Sequence, residues 1–126
     1  MGTNLPAIAL WGAGDHATRN ILPAINAAKT LRLAGIHTRN AEVLEAQTAH
    51  WQCHGWASAD DMLADEGVDI VYVATPIGLH AAHAARVLES GKHLFCEKSL
   101  TTTLTDAETL VEMARSRALA LCTTFG

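Results

Sequence analysis

Short apolar runs of strand length alternate along this chain with segments whose apolar residues recur at helical spacing, and that alternation restricts the fold more than any other feature. Residues 5–11 (LPAIALW), 31–37 (LRLAGIH), 68–74 (VDIVYVA), 93–96 (HLFC) and 119–123 (LALCT) read as strands. A strand covered on one face alternates apolar with polar; one buried on both faces reads as a near-continuous apolar run. Residues 15–28 carry Ala17, Ile21, Leu22, Ile25 and Ala28 at helical spacing, and 41–50 and 77–90 read as further helices. Pro23 should kink the first of these unless it falls near the opening turns. Ser58-Ala59-Asp60-Asp61 is an N-cap with an acidic first turn, opening a helix to Glu66 that stops at Gly67. Thr105-Asp106-Ala107-Glu108 is a capping box opening a helix to about Arg117. Gly91 stands where a C′ glycine belongs, and residues 51–54 are the thinnest candidate for a further strand. Strand followed by helix throughout predicts an α/β domain: a doubly wound parallel sheet of about six strands with helices on both faces.

Length and composition agree with that class. A chain of 126 residues suits one domain, and an apolar fraction of 49% with 17% charged residues argues against disorder. A net charge of −4 offers no broad basic field, which disfavours nucleic acid, although a helix N-terminus and one arginine still suffice for a small anion. No apolar run approaches the ~20 residues that span a bilayer, and the N-terminus lacks a signal peptide's basic flank. Cys53, Cys96 and Cys122 are odd in number without C-x-x-C spacing, as in a reduced protein, so the cytoplasm is the expected compartment. Cys96 and Cys122 each end an apolar run and are expected to be buried.

The sharpest local signal is Gly12-Ala13-Gly14-Asp15-His16-Ala17, a G-x-G-x-x-A placed directly after a predicted strand and opening a predicted helix. That context marks the Rossmann dinucleotide turn: Gly12 allows the tight bend, Gly14 admits the pyrophosphate to the backbone, and Ala17 lets helix and strand pack closely. The free N–H groups of the helix start would face the phosphates. A tight turn without a ligand is the plainer alternative. Asp15 and His16, on the lip of the turn, are counted with the cofactor-binding residues of this segment and receive no catalytic role.

NAD-binding folds of this type usually carry an acidic residue at the end of the second strand, ~20 residues beyond the glycines. Here the strand ends in His37-Thr38-Arg39-Asn40, with no carboxylate. Arg39 suits a 2′-phosphate through paired charge-assisted bonds and Thr38 adds a hydroxyl. NADP(H) is therefore the expected cofactor, with NAD(H) as the alternative if Arg39 is only a solvated loop residue.

Two later segments, Ala74-Thr75-Pro76-Ile77-Gly78-Leu79-His80 and Gly91-Lys92-His93-Leu94-Phe95-Cys96-Glu97-Lys98, combine with the glycine turn at a specific spacing. In that combination the chain, from Ile8 to Phe125, resembles the glucose–fructose oxidoreductase / inositol dehydrogenase / MocA family. The resemblance implies an N-terminal NAD(P)-binding Rossmann domain, a C-terminal α/β domain with an open antiparallel sheet, and oxidation or reduction of hydroxyl and carbonyl groups on sugars, polyols and related molecules. It places Ala74, Thr75, Pro76 and His80 in the cofactor motif, Glu97 at the nicotinamide ribose and Lys98 in the substrate cleft as the catalytic residue. A lysine beside a cationic ring and low-dielectric walls has its pKa lowered and can assist proton transfer. The plainer alternatives are a surface Lys98 paired with Glu97, and a His80 that only makes local hydrogen bonds.

The tripeptide here is Glu97-Lys98-Ser99, where the family carries Glu-Lys-Pro, so the aim of Lys98 is less constrained. His50, Cys53 and His54 form an H-x-x-C-H, too few ligands to predict a metal. The family's substrate domain would begin after Thr123-Thr124-Phe125-Gly126, so residues 1–126 are expected to be the dinucleotide domain alone and to turn over little by themselves. A stand-alone nucleotide-binding module or sensor is the second reading, and a different nucleotide binder or methyltransferase on a similar fold the third. A domain exposed in this way is expected to be prone to self-association into a homo-oligomer.

Overall fold

In the computed structural model of the chain, which describes residues 5–123, strand β1 (Ala7–Trp11) is buried along its whole length. Its side chains alternate between two cores. Ile8 and Leu10 join Ala17, Leu22, Ile25, Ile36 and Tyr72 on one face, while Ala9 and Trp11 join Met62, Val71, Val73, Ala84, Val87, Leu88, Leu94 and Leu110 on the other. Burial on both faces is why the run shows no polar alternation. Each fully buried leucine or isoleucine contributes about 1.5–3 kcal/mol relative to exposure.

The remaining strands are β2 (Arg32–His37), β3 (His54–Gly55), β4 (Ile70–Val73), β5 (His93–Cys96) and β6 (Leu121–Thr123). All pair in parallel, in the order β3-β2-β1-β4-β5-β6. The register brings Trp11 opposite His37 on one side and Val73 on the other, and Val73 opposite Cys96. Four strands thus end together at one edge. The chain reverses its direction of winding between β1 and β4, where an open α/β sheet has its ligand crevice.

Helices α1 (Leu22–Ala27) and α2 (Ala41–Trp51) cover the face of Ile8 and Leu10. Helices α3 (Ala59–Ala64), α4 (His80–Glu89) and α5 (Leu104–Ser116) cover the other. Helical backbone starts at residue 15, passes through a π turn at Ala17–Ile21, and continues as α1. Pro23 explains the π turn. In an α register its ring would press on the carbonyl four residues back, and the wider turn, with the Leu22 N–H on the Ala17 carbonyl, relieves that clash.

Several boundaries differ from the sequence expectation. Trp51 closes α2, its indole donating to Gln47, and Gln52 at φ 52° ends the helix, so β3 falls at His54–Gly55 instead of 51–54. Helix α3 stops at Ala64 because the Asp65 carboxylate accepts from the Gly67 N–H and the Trp56 indole. The cap of α5 is Thr103, whose hydroxyl accepts from the Asp106 N–H at 3.1 Å, not Thr105. Cys96 is buried as expected, but Cys122 is exposed: Leu121 turns to the α5 side, and Cys122 turns to the face beyond α1 and α2. Gly91, at φ 84°, follows α4 as anticipated. Thr124, Phe125 and Gly126 lie outside the described residues.

Candidate functional site

At the carboxyl edge of the sheet, a cavity of about 610 Å³ opens between the glycine turn, the end of β2, and the loop and helix after β4. Gly12 makes the turn possible. It sits at φ +101°, and a β-carbon there would meet the Ala74 carbonyl oxygen at 2.8 Å. Its N–H donates to the His37 carbonyl at 2.8 Å, while the Ala74 N–H donates to that of Trp11, so main-chain bonds stitch the three strand ends together. Gly14 differs: nothing lies within 4 Å of a β-carbon built on it. Its open side is free for a ligand to approach the backbone. Ala17, 2% exposed, packs the following helix onto the sheet.

Of the residues singled out in the sequence, Gly12, Ala13, Gly14, Thr38, Arg39, Ala74, Thr75 and Pro76 line this cavity together. Four others do local work. The Asn40 side chain accepts from the Glu42 and Val43 N–H groups and caps α2. His80, 2% exposed, spans two carbonyls, Thr75 through Nε2 at 2.6 Å and Ser99 through Nδ1 at 2.8 Å. It thereby ties the loop after β4 to the loop after β5. The Asp15 carbonyl accepts from the Thr18 hydroxyl. His16 reaches across the turn to Glu97, Nε2 to carboxylate at 3.4 Å, with Nδ1 accepting from the Asn20 amide at 3.0 Å. Glu97 is held in place by its own N–H, which donates to the Val73 carbonyl, and the adjoining Lys98 is exposed.

Sequence reasoning did not assign the rest of the lining to the site. Trp11, His37, Ala59, Leu79, His83 and Arg86 complete the lining. The His83 ring stacks on Trp11 with centroids 4.1 Å apart and meets the Thr75 hydroxyl at 2.8 Å. Arg86 lies over the same indole, 5.7 Å from its centroid, and pairs with Asp60 at the start of α3. His37 donates to the Trp56 carbonyl through Nδ1 at 2.9 Å. Desolvation, then the charges of Arg86, His80 and His37, hold His83 below the usual histidine pKa. The signal that would have found these residues is the polar series His80, His83 and Arg86 at three-residue spacing on a helix otherwise apolar up to Leu88. Among the lining residues there is no Asp or Glu.

Other polar features belong to the scaffold. Lys92, 7% exposed, donates to the Asp65 and Val68 carbonyls, both at 2.8 Å, and burial lowers its pKa. Among the described residues no group of three or more His, Cys, Asp or Glu is placed to hold a metal, and no helix is long and apolar enough to cross a membrane.

A parallel sheet with this strand order, a glycine turn open at Gly14 and a crevice at the winding reversal define a dinucleotide-binding Rossmann domain. The chain belongs to the oxidoreductase family with an NAD-binding Rossmann fold, the glucose–fructose oxidoreductase / inositol dehydrogenase / MocA family, which it matches over residues 7–125. It is 34% identical over 114 residues to dTDP-3,4-didehydro-2,6-dideoxy-alpha-D-glucose 3-reductase of Streptomyces violaceoruber, covering 90% of this chain and 33% of that protein. It is 39% identical over 83 residues to D-xylose 1-dehydrogenase (NADP(+)) of Hypocrea jecorina, covering 66% of this chain and 21% of that one. The crystal structure of KijD10, a 3-ketoreductase from Actinomadura kijaniata in complex with NADP and TDP-benzene, superposes with a TM-score of 0.93 at 33% identity, over 96% of this chain and 37% of that one. The chain spans about a third of the length of the curated reductases it matches.

Proposed function

We propose that this chain is the cofactor-binding part of an NADP(H)-dependent oxidoreductase acting on a hydroxyl or carbonyl group of a sugar, polyol or related small molecule. The observation that carries this reading is the chemistry of the cavity: open backbone at Gly14, Thr38 and Arg39 at the end of β2, and no carboxylate in the lining. A carboxylate at the end of β2 would favour a ribose diol, whereas a guanidinium and a hydroxyl favour a phosphate. The NADP complex of KijD10 and the NADP(+) specificity in the name of the xylose dehydrogenase support the same preference.

The residues fit the dinucleotide in sequence along the cleft. The turn from Gly12 to Gly14 and the N–H groups of the helix start hold the pyrophosphate. Thr38 and Arg39 hold the 2′-phosphate, and Thr75 and Pro76 wall the far side. Glu97, oriented by His16, meets the nicotinamide ribose. When bound, the nicotinamide supplies the hydride donor or acceptor. Lys98, exposed and next to Glu97 in the chain, holds or moves the proton at the substrate oxygen.

Calorimetric titration of the purified chain with NADPH and NADH tests the reading. NADPH is expected to bind at least about tenfold tighter, the equivalent of one charge-assisted contact. Tighter binding of NADH would overturn the cofactor preference, and no affinity for either dinucleotide would overturn the oxidoreductase reading.

A further inference from the structure

The cavity carries a second guanidinium that neither the glycine turn nor the β2 end accounts for. Arg86 projects from α4, Arg39 follows the end of β2, and both line the same space. The Arg86 guanidinium carbon lies over the Trp11 indole, 5.7 Å from the ring centroid. Its carboxylate partner is Asp60, whose side chain is 85% exposed, while that of Arg86 is 41% exposed. An ion pair so open to water binds weakly and is readily exchanged. Apart from the two arginines, the ionisable groups in the lining are His37 and His83.

We propose that Arg86 is a specificity-determining residue that recognises the 2′-phosphate of the dinucleotide together with Arg39, and that Asp60 competes with the phosphate for it. The inference rests on the reading of the cavity as an NADP(H) site. A 2′-phosphate carries between one and two negative charges at neutral pH and three acceptor oxygens, more than one guanidinium satisfies. A dianion facing two guanidiniums in a cavity without carboxylates displaces a single exposed carboxylate. Arg86 then exchanges Asp60 for the phosphate. Asp60, one residue beyond the lining residue Ala59, sets how much NADP(H) must overcome.

Three chains separate the possibilities: wild type, Arg86→Gln and Asp60→Asn, each titrated with NADPH and NADH at low and moderate salt. Arg86→Gln should weaken NADPH about tenfold and leave NADH within about twofold, because only the former presents the extra phosphate. Asp60→Asn should act with opposite sign, tightening NADPH about two- to threefold with NADH unchanged, in line with the small worth of an exposed pair. Equal weakening of both dinucleotides by Arg86→Gln would show that the guanidinium serves the adenine ring or the fold, and would overturn the proposal. So would an Asp60→Asn chain with unaltered NADPH affinity. If wild type prefers NADPH and Arg86→Gln keeps the same preference, this inference fails while the cofactor reading stands. If wild type binds neither dinucleotide, both fall.

Discussion

Gly12 and Gly14 look equivalent in the sequence but are demanded for different reasons. At Gly12 a side chain is excluded by the protein itself, both by the positive φ and by the Ala74 carbonyl 2.8 Å away. Gly12→Ala should cost about 2–5 kcal/mol of stability, read from urea denaturation. At Gly14 nothing within 4 Å forbids a methyl group, so Gly14→Ala should leave stability within about 1 kcal/mol of wild type. Its methyl group would instead occupy the path of the pyrophosphate, and NADPH affinity should fall at least about tenfold. A Gly14→Ala chain that binds as wild type does would refute the placement of the phosphates. His83 makes a separate residue-scale prediction. Its folded-state pKa is lowered, so on acidification the unfolded chain takes up a proton that the native chain resists. Stability is therefore lost as pH falls below the ordinary histidine range, about 6.5, toward the lowered folded value. His83→Gln should flatten the dependence of the urea midpoint on pH between about 7.5 and 5.5. An identical slope in the two chains would count against the burial assigned to His83.

At the scale of elements, what the sequence disclosed depended on whether a segment's structure is set locally. The run from Ala7 to Trp11 and the glycine turn were readable because a strand buried on both faces, and a bend that needs glycine, leave their marks within a few residues. Strand β3 was not: it is two residues long and exists through its pairing of His54 with Gly35. The start of α5 was misplaced because Thr103 and Thr105 both precede an acidic residue by a helical turn, and Leu104 at the first position hid the earlier cap. Substitution distinguishes them. Thr103→Ala should cost about 1 kcal/mol, the usual loss of an N-cap hydroxyl, whereas Thr105→Ala, inside the helix, should be within about 0.5 kcal/mol of neutral. Denaturant unfolding of the two variants settles which threonine caps. The phosphate side of the site was legible for the reason that β1 was. Its adenosine side was legible at Thr38 and Arg39 but not on α4, because His83 and Arg86 meet Trp11 only when the crossover after β4 lays α4 across the end of β1.

For the whole molecule, stability and ligand binding are one equilibrium. The crevice joins the ends of β1, β2 and β4 with the start of α4, elements that lie far apart in the chain and meet only in the folded sheet. An unfolded chain therefore has no comparable site, and any dinucleotide bound by the native state draws the equilibrium toward it. At a free concentration one hundred times its Kd, NADPH should add about 2.7 kcal/mol. For a domain of this length each kcal/mol moves Tm by roughly 3–5 °C, so the transition should rise by roughly 10 °C. NADH at the same absolute concentration should give a smaller rise, because the arginine side of the crevice has no phosphate to hold. The chain with Arg39→Ala should bring the two rises closer without lowering the Tm of the free protein appreciably, since Arg39 is exposed and makes no core contact. Equal rises with NADPH and NADH in the wild-type chain would mean that the adenosine half of the crevice does not read the phosphate at all, whatever the glycine turn contributes.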